Sequence, residues 1–185
     1  MRKLKIASAL ALVTFVPFVA QAGVIWSVNG NEYELVNAEG ITWTAARTAA
    51  QSGGWDLVTV TSAAENAFIV ASVLSSGSTV SRSHYWIGLS DAEVEGSYGW
   101  VSGEAFSYTN WNVGEPNNSG NEDFIAYDYV GGWGWNDAPN NLGQIYGFAR
   151  GYIKERVAPS VPEPATLGLL GLGLASLGLR RRRRS

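Results

Sequence analysis

Short alternations of apolar and polar residues run through positions 24–36 and flank Asn29-Gly30, a pattern that predicts strands joined by a hairpin turn. Thr42 to Gln51 consists of strong helix formers and closes on Ser52-Gly53-Gly54, which reads as a helix with a glycine stop. Leu57-Val58-Thr59-Val60 predicts a short strand. Ser62-Ala63-Ala64-Glu65 fits a capping box, in which serine and glutamate satisfy each other's free backbone donors, and opens a second helix running to about Leu74. His84 to Leu89 has the composition of a core strand, and further strands are predicted at 124–130, 132–136 and 145–154. Between Ser90 and Asp123 the periodicity fades, with at most short strands around Trp100 and Phe106. A loop of that length in a compact domain is either functional or disordered. Tyr98, Trp100, Phe106, Tyr108 and Trp111 would hang in water if it were disordered, so it reads as ordered and functional.

Two apolar runs stand outside this pattern, one at each end. Arg2-Lys3-Leu4-Lys5, the run Ile6 to Ala20, and Ala20-Gln21-Ala22 form the charged, apolar and cleavage regions of a signal peptide over residues 1–22. At the other end, Val161-Pro162-Glu163-Pro164 leads into an apolar run from Ala165 to Leu179 and the block Arg180 to Arg184. That run is barely long enough to cross a bilayer at about 1.5 Å per residue, and the arginines would hold its end on the cytoplasmic side. Their place directly after an apolar run argues against a nucleic-acid patch. This tail resembles the PEP-CTERM sorting signal of Gram-negative bacteria. The resemblance implies that the sorting motif Pro162, Glu163, Pro164 and the basic end are recognised by an exosortase-type sorting enzyme that removes the tail. It implies transient residence in the inner membrane, passage through the periplasm, and a cell-surface or extracellular-matrix destination. The chain then divides into a signal peptide (1–22), a folded domain (24–156), a linker with the Pro-Glu-Pro motif (157–164), and an apolar helix with its basic tail (165–185).

Charge changes the picture once the ends are set aside. The formal net charge is −3, but eight basic residues lie in the two end segments. Between positions 24 and 158 only Arg47, Arg82, Arg150, Lys154 and Arg156 face fifteen acids, a formal charge of −10. Such a domain repels nucleic acid and anionic membrane and suits a cation. The sequence has no cysteine, which excludes thiol catalysis, cysteine zinc sites and redox switching. Its one histidine, His84, adjoins a core strand and reads as a packed or turn residue. No serine elbow, phosphate loop or zinc spacing is present. A pair such as Glu115 and Asp137 could serve a glycosidase, but the crowding of amides among the acids suits metal ligation better, and the chain reads as a non-enzyme.

The long loop and its flank carry Asp91, Glu95, Glu115, Asn117, Asn118, Glu122, Asp123, Asn136 and Asp137. Hard cations take six to eight oxygens from carboxylates, amides and backbone carbonyls. A cis bond at Glu115-Pro116 would turn its two flanking side chains to one surface. Composition alone leaves a solvated acidic surface and a cation site equally open. The order of residues decides between them. Trp86-Ile87-Gly88-Leu89, Glu115-Pro116-Asn117, Glu122-Asp123 and Trp135-Asn136-Asp137, with Trp43-Thr44-Ala45-Ala46 before them and Tyr152-Ile153-Lys154-Glu155 after, resemble the C-type lectin domain over most of residues 31–155.

That resemblance implies an α+β fold: a C-type lectin-like domain with two helices flanking small antiparallel sheets and a long ligand-binding loop. It implies a principal Ca2+ site of Glu115, Asn117, Glu122, Asn136 and Asp137, the last also through its backbone carbonyl. An auxiliary site would use Asp91, Glu95, Asn118, Glu122 and Asp123, with neutral Asn118 where an acid is common. Carbohydrate would bind through Glu115, Asn117, Glu122 and Asn136, each vicinal hydroxyl donating to a carboxylate and accepting from an amide. Glu-Pro-Asn implies mannose-type hydroxyl stereochemistry rather than the galactose type. Trp133 and Trp135 are candidates for sugar stacking, although core packing suits Trp135 better. The alternative function is a structural or adhesive matrix module that binds protein or polymer without sugar specificity. Ala50, Phe124 and Lys154 stand where the family carries cysteines, so calcium is expected to contribute more than usual to the order of the loop.

Overall fold

The computed structural model describes residues 23–143 and 148–159; the segments expected to be a signal peptide and a sorting tail lie outside them. Strands β1 (Val24–Ile25) and β2 (Asn31–Asn37) form the hairpin expected at Asn29-Gly30, where Gly30 takes the left-handed φ of 78° that the turn needs. Helix α1 (Trp43–Ala50) follows, capped by the Thr42 hydroxyl, which accepts the Ala45 N–H at 3.2 Å. Strand β3 (Asp56–Leu57) overlaps the predicted run 57–60 only at its start: Val58 N still donates to the Ile153 carbonyl at 3.0 Å, but Thr59 N turns to the Glu155 carboxylate at 2.6 Å and leaves the backbone ladder. Helix α2 (Ala63–Phe68) continues as a π turn over Ile69–Val73 and a 3-10 turn over Leu74–Ser76, so the predicted end near Leu74 holds while the winding changes. Strands β4 (Ser83–Ser90), β5 (Gly99–Trp100), β6 (Phe124–Tyr129), β7 (Trp133–Ala138) and β8 (Phe148–Val157) complete the order. No strand forms at Phe106.

The capping box forms only in half. Ser62 accepts the Glu65 N–H at 3.2 Å, but the Glu65 carboxylate turns into the protein. One of its oxygens accepts from the Tyr33 hydroxyl at 2.6 Å, and the other accepts from the N–H and hydroxyl of Thr61 at 2.8 and 2.9 Å. The carboxylate reaches past the Ser62 N–H to Thr61 with one oxygen and gives the other to a tertiary partner.

Antiparallel pieces β1-β2-β8 and β4-β6-β7 are joined into one mixed sheet by parallel pairing of β8 with β4, while β3 adds to β8 and β5 to β4. Alternation along β4 explains why both faces are covered. Tyr85, Ile87 and Leu89 face one core with Ile69, Val73 and Leu74 of the second helical segment, whereas Trp86 faces a second core with Trp43, Ala46 and Ala50 of α1. The buried indoles of Trp43 and Trp86 donate to the carbonyls of Ile87 and Ile41 at 2.7 and 2.9 Å, so neither N–H is stranded.

Noncovalent contacts hold the three positions that the resemblance assigns to cysteine. Ala50 is fully buried; the Lys154 ammonium pairs with Glu34 at 3.1 Å and lies 4.5 Å from the centre of the Trp55 ring; the Phe124 ring packs at 4.7 Å on Trp43.

Candidate functional site

The loop between β5 and β6 is anchored from its own aromatic residues. Trp135, fully buried in β7, receives edge-on contacts from Trp100, Tyr108, Trp111 and Tyr127 at centroid distances of 5.7, 5.8, 5.8 and 6.3 Å. Next to Trp111 the loop backbone pairs with β7: Asn112 N donates to the Trp135 carbonyl at 2.9 Å, and Trp135 N donates to the Asn110 carbonyl at 2.8 Å. Trp135 is therefore a core residue. Trp133 is half-buried and packs edge-on against Tyr85 and Tyr129.

From this anchor the chain turns into Glu115-Pro116, whose peptide bond is cis. Asp137, fully buried at the end of β7, accepts the Asn117 N–H at 3.1 Å with one carboxylate oxygen and the Asn118 N–H at 2.8 Å with the other. The Asn117 amide donates to Glu115 Oε2, and the Asn136 amide donates to the Asp137 carbonyl, both at 2.5 Å. Asn118 Oδ1 accepts the Glu122 N–H at 2.8 Å, and Glu122 Oε2 accepts the Ser119 N–H at 2.9 Å. Glu115, Asn117, Asn118, Glu122, Asn136 and Asp137 thus meet in one network.

Asp91 and Asp123 are joined through the backbone, Asp91 N donating to the Asp123 carbonyl at 3.1 Å. One oxygen of the Asp91 carboxylate accepts from Gly96 N at 2.9 Å; the other is buried and has no hydrogen-bond partner. Asp123 takes the Asn121 amide at 2.9 Å, and Glu95 is exposed on the turn that follows Asp91. Tyr98 lies among these acids: burial first, then the charges of Asp91, Asp137 and Glu95, hold its hydroxyl protonated far above the usual range. Its place between the two acid groups was not legible as a site feature, since its sequence signal is that of a packed aromatic.

Electrostatics in the cluster are unbalanced. Burial, then the Asp137 and Glu122 carboxylates, raise Glu115 to about 7, with Arg82 pulling the other way. Burial and Asp137 raise Glu122 as well, against the Ser119 N–H. These residues fit a hard divalent cation: every donor is oxygen, the burial and carboxylate repulsion that raise Glu115 and Glu122 are what a cation would relieve, and Asp91 offers an unpartnered buried oxygen. Among the described residues no three Asp, Glu, His or Cys side chains suffice for a metal by themselves, so amide and backbone oxygens have to complete the shell. A cleft of about 400 Å³ lies elsewhere, lined among others by Trp43, Arg47, Glu93, Trp100 and Phe124, and none of the nine acids and amides above lines it.

A mixed sheet between two helices, carrying a long loop whose acids and amides converge beside a buried tryptophan, defines a binding domain rather than a catalytic one. Residues 39–143 match the lectin C-type domain, and the chain belongs to the C-type lectin domain family, whose members are carbohydrate-binding non-enzymes that generally depend on calcium. Residues 160–183 match the PEP-CTERM protein-sorting motif. Lectin BRA-3 of Megabalanus rosa is 34% identical over 71% of this chain and 81% of its own. A perlucin-like protein of Mytilus galloprovincialis is 32% identical over 69% of this chain and 78% of its own. In three dimensions the chain resembles the cow CD23 C-type carbohydrate-recognition domain, crystallised in the presence of a GlcNAc2Man3 oligosaccharide, with a TM-score of 0.61 and 26% identity over 75% of this chain and 95% of that one.

Proposed function

We propose that this is an exported surface or extracellular-matrix protein that binds carbohydrate through Ca2+, with mannose-type specificity for vicinal hydroxyls. The observation that carries the reading is the meeting of Glu115, Asn117, Glu122, Asn136 and Asp137 in one network whose carboxylates crowd one another, with Arg82 the opposing charge at Glu115. Those five residues hold the principal ion; Asp91, Glu95, Asn118, Glu122 and Asp123 hold an auxiliary one. The ion supplies a Lewis-acidic point to which two adjacent sugar hydroxyls bind. This chain's own residues orient the sugar: Glu115 and Glu122 accept the hydroxyl protons, and Asn117 and Asn136 donate to the hydroxyl oxygens. Residues 24–156 form the binding domain, 1–22 direct export, and the Pro162-Glu163-Pro164 tail engages an exosortase-type enzyme at the inner membrane.

Calorimetric titration of the purified chain with calcium, then with mannose and galactose at saturating calcium, tests this. The expected result is calcium binding with a response to mannose over galactose, both abolished in Glu115→Ala. Calcium binding without a response to either sugar would leave a metal-stabilised adhesion module, and absence of calcium binding would overturn the reading.

A further inference from the structure

Arg82 is tied through Asp128 and Asn112 to the chain that leads into the proposed site, and it has hydrogen-bond donors to spare. It is the sole Lys or Arg between positions 48 and 149. Its backbone holds a left-handed φ of 64°, a conformation non-glycine residues adopt at a cost and mostly where structure around them enforces it. Its N–H donates to the Tyr129 carbonyl at 3.0 Å, and Nη1 donates to Asp128 Oδ2 at 3.2 Å. Asp128 is fully buried, with its second oxygen 3.6 Å from Nε2 of buried His84. Burial keeps that imidazole below its ordinary pKa and therefore neutral near pH 7. Asp128 thus steadies the arginine from beneath while 57% of the Arg82 side chain stays exposed. If neutralising Asp128 were its whole role, a two-pronged pairing would serve better. Instead Asp128 Oδ1 is left without a hydrogen bond, and a single guanidinium nitrogen is engaged.

Arg82 reaches the calcium-type cluster through two short links. The Asp128 carbonyl accepts the Asn112 amide at 3.3 Å, and the Asn112 carbonyl accepts the Glu115 N–H at 3.0 Å. Val113, fully exposed, follows Asn112 on this rim. The charge of Arg82 is felt at the Glu115 carboxyl.

We infer that Arg82 reads an anionic substituent, a carboxylate or a sulfate ester, on the sugar unit held at the ion or on its neighbour in the chain. This deepens the calcium-lectin reading and rests on it. The domain's negative charge does not forbid such a ligand: charges beyond about 8 Å are screened at physiological ionic strength, and a divalent ion offsets the carboxylates that surround it. One fixed guanidinium then selects acidic glycans by where their charge falls, and its planar fork matches carboxylate and sulfate oxygens.

The test is calorimetry of the full chain at saturating calcium with mannotriose, a mannuronate trisaccharide and a 6-O-sulfated mannotriose. At least one acidic probe is expected to bind about fivefold more tightly than mannotriose, as one exposed charge-assisted contact provides. That advantage should shrink as salt rises from about 0.05 to about 0.3 M. Arg82→Gln, which keeps an amide donor on the Asp128 side, should erase the advantage and leave mannotriose affinity at saturating calcium unchanged; Arg82→Lys should keep part of it. The two acidic probes separate carboxylate from sulfate recognition. Equal affinity for all three sugars overturns the inference and leaves the lectin reading intact, as does equal weakening of neutral and acidic probes by Arg82→Gln. Should that variant not fold, an acidic preference in the native chain that ignores salt overturns it. Failure of every sugar to bind overturns both.

Discussion

Gly88 shows at single-residue scale why a short motif recurs where a strand must be approached closely. A methyl group there would sit 2.8 Å from the Leu57 carbonyl and 3.1 Å from the Val58 carbonyl, atoms of a backbone that has nowhere to retreat. Gly88 N also donates to Val58 at 2.8 Å, and its carbonyl accepts from Val101. Gly88→Ala is expected to cost about 2 kcal/mol, the scale of overpacking in a filled core, read as a fall in the urea midpoint with an unchanged m-value. Gly134 is crowded differently: a methyl group there would meet the Asn112 side chain, whose amide donates to the Asp128 carbonyl where the loop docks on β7. That Glu115, Asn117 and Asp137 meet was legible in the sequence, from a motif order whose chemistry confines each position to few types. The surroundings of Arg82 and Tyr98 were not, because they come from neighbours distant in the chain: Asp128 for one, Asp91 and Asp137 for the other.

Among the elements, α1 and β4 were readable because their periodicity and burial agree, with both faces of β4 covered. The parallel pairing of β4 with β8 was not, since alternation along a strand does not name its partner or its direction. The loop's order follows from Trp135, yet its base has a second tie. Asn140 Oδ1 accepts the Thr44 N–H at 3.0 Å, and the Asn140 carbonyl accepts the Trp43 N–H at 3.1 Å, so the chain just past β7 caps the first turn of α1. Asn140→Ala should cost about 1 kcal/mol, the usual worth of a lost helix cap, measured by chemical denaturation in chelator. Proteolysis reports on the same region. Cleavage between residues 103 and 121 is expected to slow when calcium is added, and an equal rate in chelator would refute metal-linked ordering of the loop.

At the scale of the whole molecule, an acid buried far from the loop adds to the response to pH that Glu115 and Glu122 give within it. Glu155 accepts the Thr59 N–H at 2.6 Å and the Asn31 amide at 3.1 Å, next to the region held by Glu65. Burial, with a further push from Glu65, raises it to about 7 despite those donors. A folded-state pKa above the unfolded one stabilises most below the unfolded value, and that contribution is lost as pH rises through the folded value. Calcium-free protein should therefore lose up to about 3 kcal/mol between about pH 4.5 and 7 from this group. Glu155→Gln, which mimics the protonated acid, should flatten the slope in melts across that range.

The central strand has a mechanical consequence. β8 is zipped to β2 over seven residue pairs and to β4 on its other side, and the sorting tail follows its final residue. A force applied at Val157 along the strand would load the hydrogen bonds to both neighbours together, so that they shear as a group rather than peel one at a time. Attachment through that end, as proposed above, would place a strand paired on both sides in line with the load.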